Sequence, residues 1–159
     1  MKKHEEEKLN KLNALMVKKT ESMTKKEVTQ LSYNIIGCAI TVHKELGPGL
    51  LESVYEKCLK YELIKNGHDV MQQLVVPVVY DKMEMDVDLR VDLLVDDTVV
   101  VELKAIENIL PVHNAQLLTY MKLLELPQGL LINFYTDNIT KSHIPLVNEF
   151  FSELPDGDV

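Results

Sequence analysis

Arginine occurs once in this chain, at Arg90, and cysteine twice, at Cys38 and Cys58. One arginine leaves little of the bidentate phosphate chemistry on which broad nucleic-acid surfaces rely. Two thiols cannot build a disulfide framework or, by themselves, a four-thiolate zinc or iron–sulfur site. Glycine and proline number six each in 159 residues, which excludes collagen-like repetition and low-complexity disorder. No apolar run approaches the ~20 residues of a membrane span, and the charged stretch Met1 to Asn10 lacks the apolar core of a secretory signal. The starting class is a cytoplasmic, reduced, soluble protein whose length suits one domain with its own core.

Charge is unevenly placed. Residues 1–30 hold eight Lys against five Glu, a surplus of +3, whereas residues 31–159 hold nine basic and twenty acidic side chains, a net of −11. The body of the protein is therefore a poor partner for nucleic acid on charge alone. Residues 1–23 read as a charged arm, with Leu9, Leu12 and Met16 at helical spacing and Ser22 near its end. Residues 24–150 read as the domain, and residues 151–159 as a polar, frayed tail.

Thr24 and Glu27 have the spacing of a capping box. Val28, Leu31, Ile35, Ala39, Val42 and Leu46 then mark one face of a long helix, stopped by Gly47-Pro48. A second helix is expected from Leu50 to Asn66-Gly67, with Leu51, Val54, Tyr55, Cys58 and Leu59 inward. The two cysteines, each on an apolar helical face, read as small buried hydrophobes. From Val70 to Tyr80 the pattern is that of a strand, with Pro77 at an edge or bulge. Glu84, Asp86, Asp88, Arg90 and Asp92 then alternate with Met85, Val87, Leu89, Val91, Leu93 and Val95, which predicts a strand with one buried face. Asp96-Asp97-Thr98 is a turn and Val99 to Lys104 the next strand. Helical spacing returns over Val112 to Glu125, with Val112, Ala115, Leu117 or Leu118, Met121 and Leu124 inward. Gly129 to Phe134 is a buried strand. A further strand within 135–145 and a short helix over Ile144 to Phe151 follow. The order α-α-β-β-β-α-β predicts a mixed α/β (α+β) fold.

The hairpin permits a sharper expectation. A three-residue loop at Asp96–Thr98 pairs Val95 with Val99 and sets Asp92 directly opposite Glu102, with Lys104 on the same face. A two-residue loop would send the two carboxylates to opposite faces. Carboxylates that close repel unless a proton or cation intervenes, and an all-oxygen set suits Mg²⁺. The plainer alternative is a solvated strand face on which Glu102 and Lys104 pair with neighbours.

Asp92 followed by Glu102-Leu103-Lys104 resembles the signature of the PD-(D/E)XK nuclease superfamily, with Val91 where the superfamily name has proline. Gln116-Leu-Leu-Thr-Tyr120 is similar to the Gln-xxx-Tyr motif of its RecB-like branch, and Gly49-Leu-Leu-Glu52-Ser-Val-Tyr55 matches the GxxExxY family. In motif order the resemblance spans residues 27–135. It implies a restriction-endonuclease-like core, a central mixed sheet flanked by helices, and a Mg²⁺-dependent phosphodiesterase site in which Mn²⁺ can substitute. Asp92, Glu102 and Glu52 would hold the metal, and Lys104 would position or deprotonate the attacking water. Gln116 and Tyr120 would orient Lys104 or the phosphate, and His113, one turn before Gln116, is a further candidate. Tyr55 reads as a core aromatic and His43 as structural. The expected substrate is DNA rather than RNA, with the arm, a second subunit or a partner protein supplying basic surface. The rival expectations are a catalytically silent nuclease-fold interaction module and a small phosphoester hydrolase.

Overall fold

The computed structural model describes residues 2–10 and 23–157. Residues 2–10 form helix α1, exposed except for half-buried Leu9. Leu12, Met16 and Ser22 of the expected arm lie outside the described residues.

Helix α2 (Lys25–Leu46) starts as its capping box requires: the Glu27 N–H donates to the Thr24 hydroxyl, and the Thr24 N–H donates to the Glu27 carboxylate. Its stripe of Val28, Leu31, Ile35, Ala39 and Val42 is buried, and Gly47 ends it at φ 68°. Helix α3 (Glu52–Lys65) starts later than expected and buries Tyr55, Leu59 and Leu63. Leu51 is 75% exposed and Val54 also lies at the surface. Leu51 precedes the first helical residue in an extended conformation, so its side chain is not part of the inward stripe.

The Val-rich run divides around Pro77 into β1 (Val70–Val75) and β2 (Val79–Tyr80). The alternating segment divides as well, into β3 (Met83–Glu84) and β4 (Arg90–Val95). The β1–β4 register ends at Val75↔Arg90; one further bond, from the Val76 N–H to the Leu89 carbonyl at 2.7 Å, follows it, and residues 85–88 lie outside that pairing whatever their alternation. Strands β2 and β3 form a separate ribbon closed by Asp81 and Lys82, both at positive φ. Strand β5 (Val99–Lys104) follows the expected turn.

Helix α4 (Pro111–Leu124) carries the chain across to β6 (Gln128–Asn133), the crossover that a parallel neighbour of β5 needs. On α4 the inward residues are Leu117, Tyr120, Met121 and Leu124, while Val112, Ala115 and Leu118 are exposed. Beyond the short 3₁₀ turn η1 (Ile139–Lys141), β7 (His143–Val147) pairs with β6, leaving only Glu149–Ser152 for helix α5. The helix expected from Ile144 is thus shortened, because its first residues belong to the sheet. Residues 155–156 lie against the start of α2: the Lys25 N–H donates to the Pro155 carbonyl at 2.8 Å, and the Lys25 Nζ meets Asp156 at 2.9 Å.

The five-stranded sheet has the order β1-β4-β5-β6-β7, parallel only between β5 and β6. Helices α2 and α3 cover one face through a cluster that includes Leu93, Val95, Val101, Leu103 and Ile132. Helix α4 covers the other through Val91, Leu94, Val100 and Leu131. The architecture is a mixed α/β layer structure, as the order of elements predicts. Among the described residues no helix is long and apolar enough to cross a membrane.

Candidate active site

Strands β4 and β5 pair as Val95↔Val99, Leu94↔Val100 and Leu93↔Val101, the register that a three-residue loop dictates. There the ladder stops, although both strands continue. Strand β4 runs on beside β1 to Arg90, and β5 runs on beside β6 to Lys104. The sheet forks, and Asp92 and Glu102 are the first residues on its two arms. Their side chains take over where the ladder ends. The Asp92 N–H donates to Glu102 Oε1 at 3.0 Å, and the Leu103 N–H donates to Asp92 Oδ2 at 2.8 Å. Two neighbouring backbone donors are thereby satisfied by carboxylates.

Helix α3 brings Glu52, its first residue, toward the fork, where Glu52 interacts with Lys104, Asp92 and Glu102. The two motif residues on either side of it, Gly49 and Tyr55, have separable tasks. Gly49 turns the chain at φ 100°, a conformation open to glycine. The buried Tyr55 stacks on Phe134 at 4.4 Å between ring centroids; its hydroxyl donates to the Gly47 carbonyl at 2.5 Å and accepts from the Leu50 N–H at 3.1 Å. Tyr55 therefore clamps the loop from which Glu52 emerges, the core role expected of it. Glu56, one turn beyond Glu52 and so on the same helical side, is a member that sequence reasoning missed. It is buried, accepts from Gln72 Nε2 at 2.7 Å and Gln73 Nε2 at 2.6 Å, and shares a hydrogen bond with Asp92. Its four-residue spacing from Glu52 was the available signal.

On the other face, Tyr120 of α4 is buried, hydrogen-bonded to Gln116, and close enough to feel the charges of Glu102 and Asp92. Gln116 itself is exposed. His113 is engaged at the helix start, where its Nδ1 accepts the Leu110 N–H at 2.9 Å. His43 is structural, with Nε2 at 2.7 Å from the Thr136 carbonyl. Asp86 and Asp88 lie exposed outside the sheet, Asp88 paired with Arg90 at 2.7 Å.

The electrostatics follow from crowding. Burial, and next the Asp92 charge, push the Glu102 carboxyl up to about 8, against the pull of the Asp92 N–H and Lys104. Burial also raises Asp92, Glu52 and Glu56 above the ordinary carboxylate range, and it raises Tyr120 together with the Glu102 charge. Among the described residues no three or more His, Cys, Asp or Glu are already arranged around a metal position. The donor set nonetheless suits a hard divalent cation: four mutually repelling carboxyls, oxygen ligands only, with Lys104 the cation interacting with both Glu52 and Glu102.

A mixed sheet covered by helices on both faces, with an Asp…Glu-x-Lys set at a fork between two strands, defines a protein of restriction-endonuclease-like fold. The family model of the PD-(D/E)XK nuclease superfamily matches residues 29–144. The chain belongs to that superfamily. No curated protein and no solved structure matches it. Membership suggests a metal-dependent nuclease: a hydrolase with a nucleic-acid substrate, in a superfamily that generally uses divalent metals such as Mg²⁺.

Proposed function

We propose that this protein is a Mg²⁺-dependent nuclease that hydrolyses DNA phosphodiester bonds, a member of the GxxExxY family of the superfamily with the Gln-xxx-Tyr motif of the RecB-like branch. The observation that carries this reading is the fork itself, where Asp92 and Glu102 meet across diverging strands with Lys104 two residues farther on. Asp92, Glu102 and Glu52 hold the ion. When bound, it would supply Lewis acidity and lower the pKa of water enough for it to lose a proton and become a nucleophile near neutral pH. Lys104 orients the attacking water and offsets charge building on the phosphate. Gln116, exposed beside Tyr120, contacts the phosphate or steadies Lys104. Strands place these groups more rigidly than loops could.

Calorimetric titration of Mg²⁺ and Mn²⁺ into wild type and Glu102→Ala, with plasmid and single-strand cleavage alongside, tests the reading. Binding and cleavage in wild type, both lost in the variant, are expected. Wild-type protein that binds neither ion overturns the proposal. The net charge of −11 over residues 31–159 favours a second reading, a nuclease fold kept as an interaction module. That reading predicts DNA binding with little salt dependence or none at all, where a nuclease gripping phosphates shows a steep one.

A further inference from the structure

In a regular strand successive side chains point to opposite faces, so consecutive residues cannot grip one carboxylate. Gln72 and Gln73 do: their Nε2 atoms lie 2.7 Å and 2.6 Å from the two oxygens of Glu56. The backbone explains how. Gln73 sits at φ 53°, a left-handed conformation that a glutamine side chain rarely adopts. The β1–β4 ladder registers Gln72↔Leu93 and Leu74↔Val91 but omits Gln73 and Asp92 between them. Facing also switches there in both strands. Gln72 reaches Glu56 of α3, yet Leu74 packs with the α4 cluster. Leu93 belongs to the α2–α3 cluster, and Val91 to that of α4. The irregularity falls at Asp92 and nowhere else along β4. It turns the Gln73 amide onto Glu56 and, at 3.3 Å, onto Asp92 Oδ1, while the Gln73 carbonyl accepts from Arg90 Nη1 at 3.3 Å.

We propose that Gln73 is a positioning residue of the site: its left-handed backbone aims an amide donor at Asp92 and Glu56 and fixes the Asp92 carboxylate at the fork. The inference rests on the reading of Asp92 as a metal-holding acid. With Oδ2 on the Leu103 N–H and Oδ1 on Gln73 Nε2, the carboxylate plane is set from both sides. Groups that orient metal ligands in this way typically change metal affinity 10–100-fold when removed.

Gln73→Gly suits the left-handed backbone conformation and removes the side chain whose amide serves both Asp92 and Glu56, at an exposed position where the variant folds. The expected result is a Mg²⁺ dissociation constant weakened about 10-fold or more by calorimetry, with an equal rise in the Mg²⁺ concentration for half-maximal cleavage and no fall in the thermal midpoint. Gln72→Ala takes a donor from Glu56 and none from Asp92, and weakens binding less. Unaltered Mg²⁺ affinity in Gln73→Gly overturns the assignment while leaving the nuclease reading intact. An equal loss in Gln72→Ala transfers the role to Glu56 and also overturns it. Wild-type protein that binds no Mg²⁺ removes the nuclease reading, and the positioning role with it.

Discussion

Glu102 keeps its proton up to about pH 8 chiefly because burial disfavours the carboxylate and Asp92 is close by. An unperturbed glutamate titrates at 4.5, so between those values the folded chain binds the proton and the unfolded chain does not. The stability this contributes is complete below 4.5 and is lost as pH rises through about 8. Metal-free protein should accordingly unfold at progressively lower urea as pH is raised through that window. Asp92, Glu52 and Glu56 shift in the same direction and steepen the fall. Glu102→Gln mimics the protonated form and should flatten much of the slope, standing above wild type at the alkaline end. Urea titrations across pH decide the matter, and a level wild-type profile would contradict the burial argument. Saturating Mg²⁺ competes with these protons and should level the wild-type curve too.

At the scale of elements, the site depends on how closely α4 approaches the sheet. A Cβ added at Gly129 of β6 would lie 2.6 Å from Met121 Sδ and 3.0 Å from Leu117 Cγ. The glycine is what lets the helix carrying Gln116 and Tyr120 settle on the strand. Gly129→Ala should cost about 1–3 kcal/mol, the usual cost of overpacking a close-packed contact, measurable by urea unfolding. Cleavage should fall with it if α4 is displaced from the fork. An alanine tolerated without loss of stability would show that Met121 and Leu117 repack freely. Helix α3 is placed by different means, the Tyr55 hydroxyl on the preceding loop, so the two helices that flank the fork are held independently.

Over the whole molecule, charge separation poses the functional problem. An acidic site within an acidic body repels DNA, and much of the basic surplus lies in residues 1–30. Lys2, Lys3 and Lys8 are exposed on α1 and can meet phosphate without losing other packing. Replacing all three with alanine should weaken DNA binding and reduce the slope of log affinity against log salt, by about 0.9 for each duplex phosphate no longer neutralised. Fluorescence anisotropy over a salt series measures both. An unchanged slope would assign phosphate binding to another surface or to a second chain.

Local pattern, caps and turns in the sequence sufficed for most of the elements. A 3.6-residue period and a capping box made α2, turn residues at Asp96–Thr98 made the β4–β5 hairpin, and the hairpin's loop length set the register that brings Asp92 and Glu102 together. These are local causes, and local causes are legible in sequence. Alternation misled over residues 84–95, because a pattern of period two does not reveal whether a partner strand lies alongside; the structure leaves 85–89 outside the sheet. It also placed Val91 and Leu93 on one face, whereas the break at Asp92 sends them to opposite clusters. The inward faces of α3 and α4 were misjudged at Leu51, Val54, Val112 and Ala115, and the choice between Leu117 and Leu118 fell to Leu117, since a helix's rotation is set by what it packs against. Only the tertiary structure decided that β4 and β5 diverge where their carboxylates stand, and that Glu56 and Gln73 join them. Those residues meet through contacts between α3, β1 and β4, long-range packing that no local period encodes.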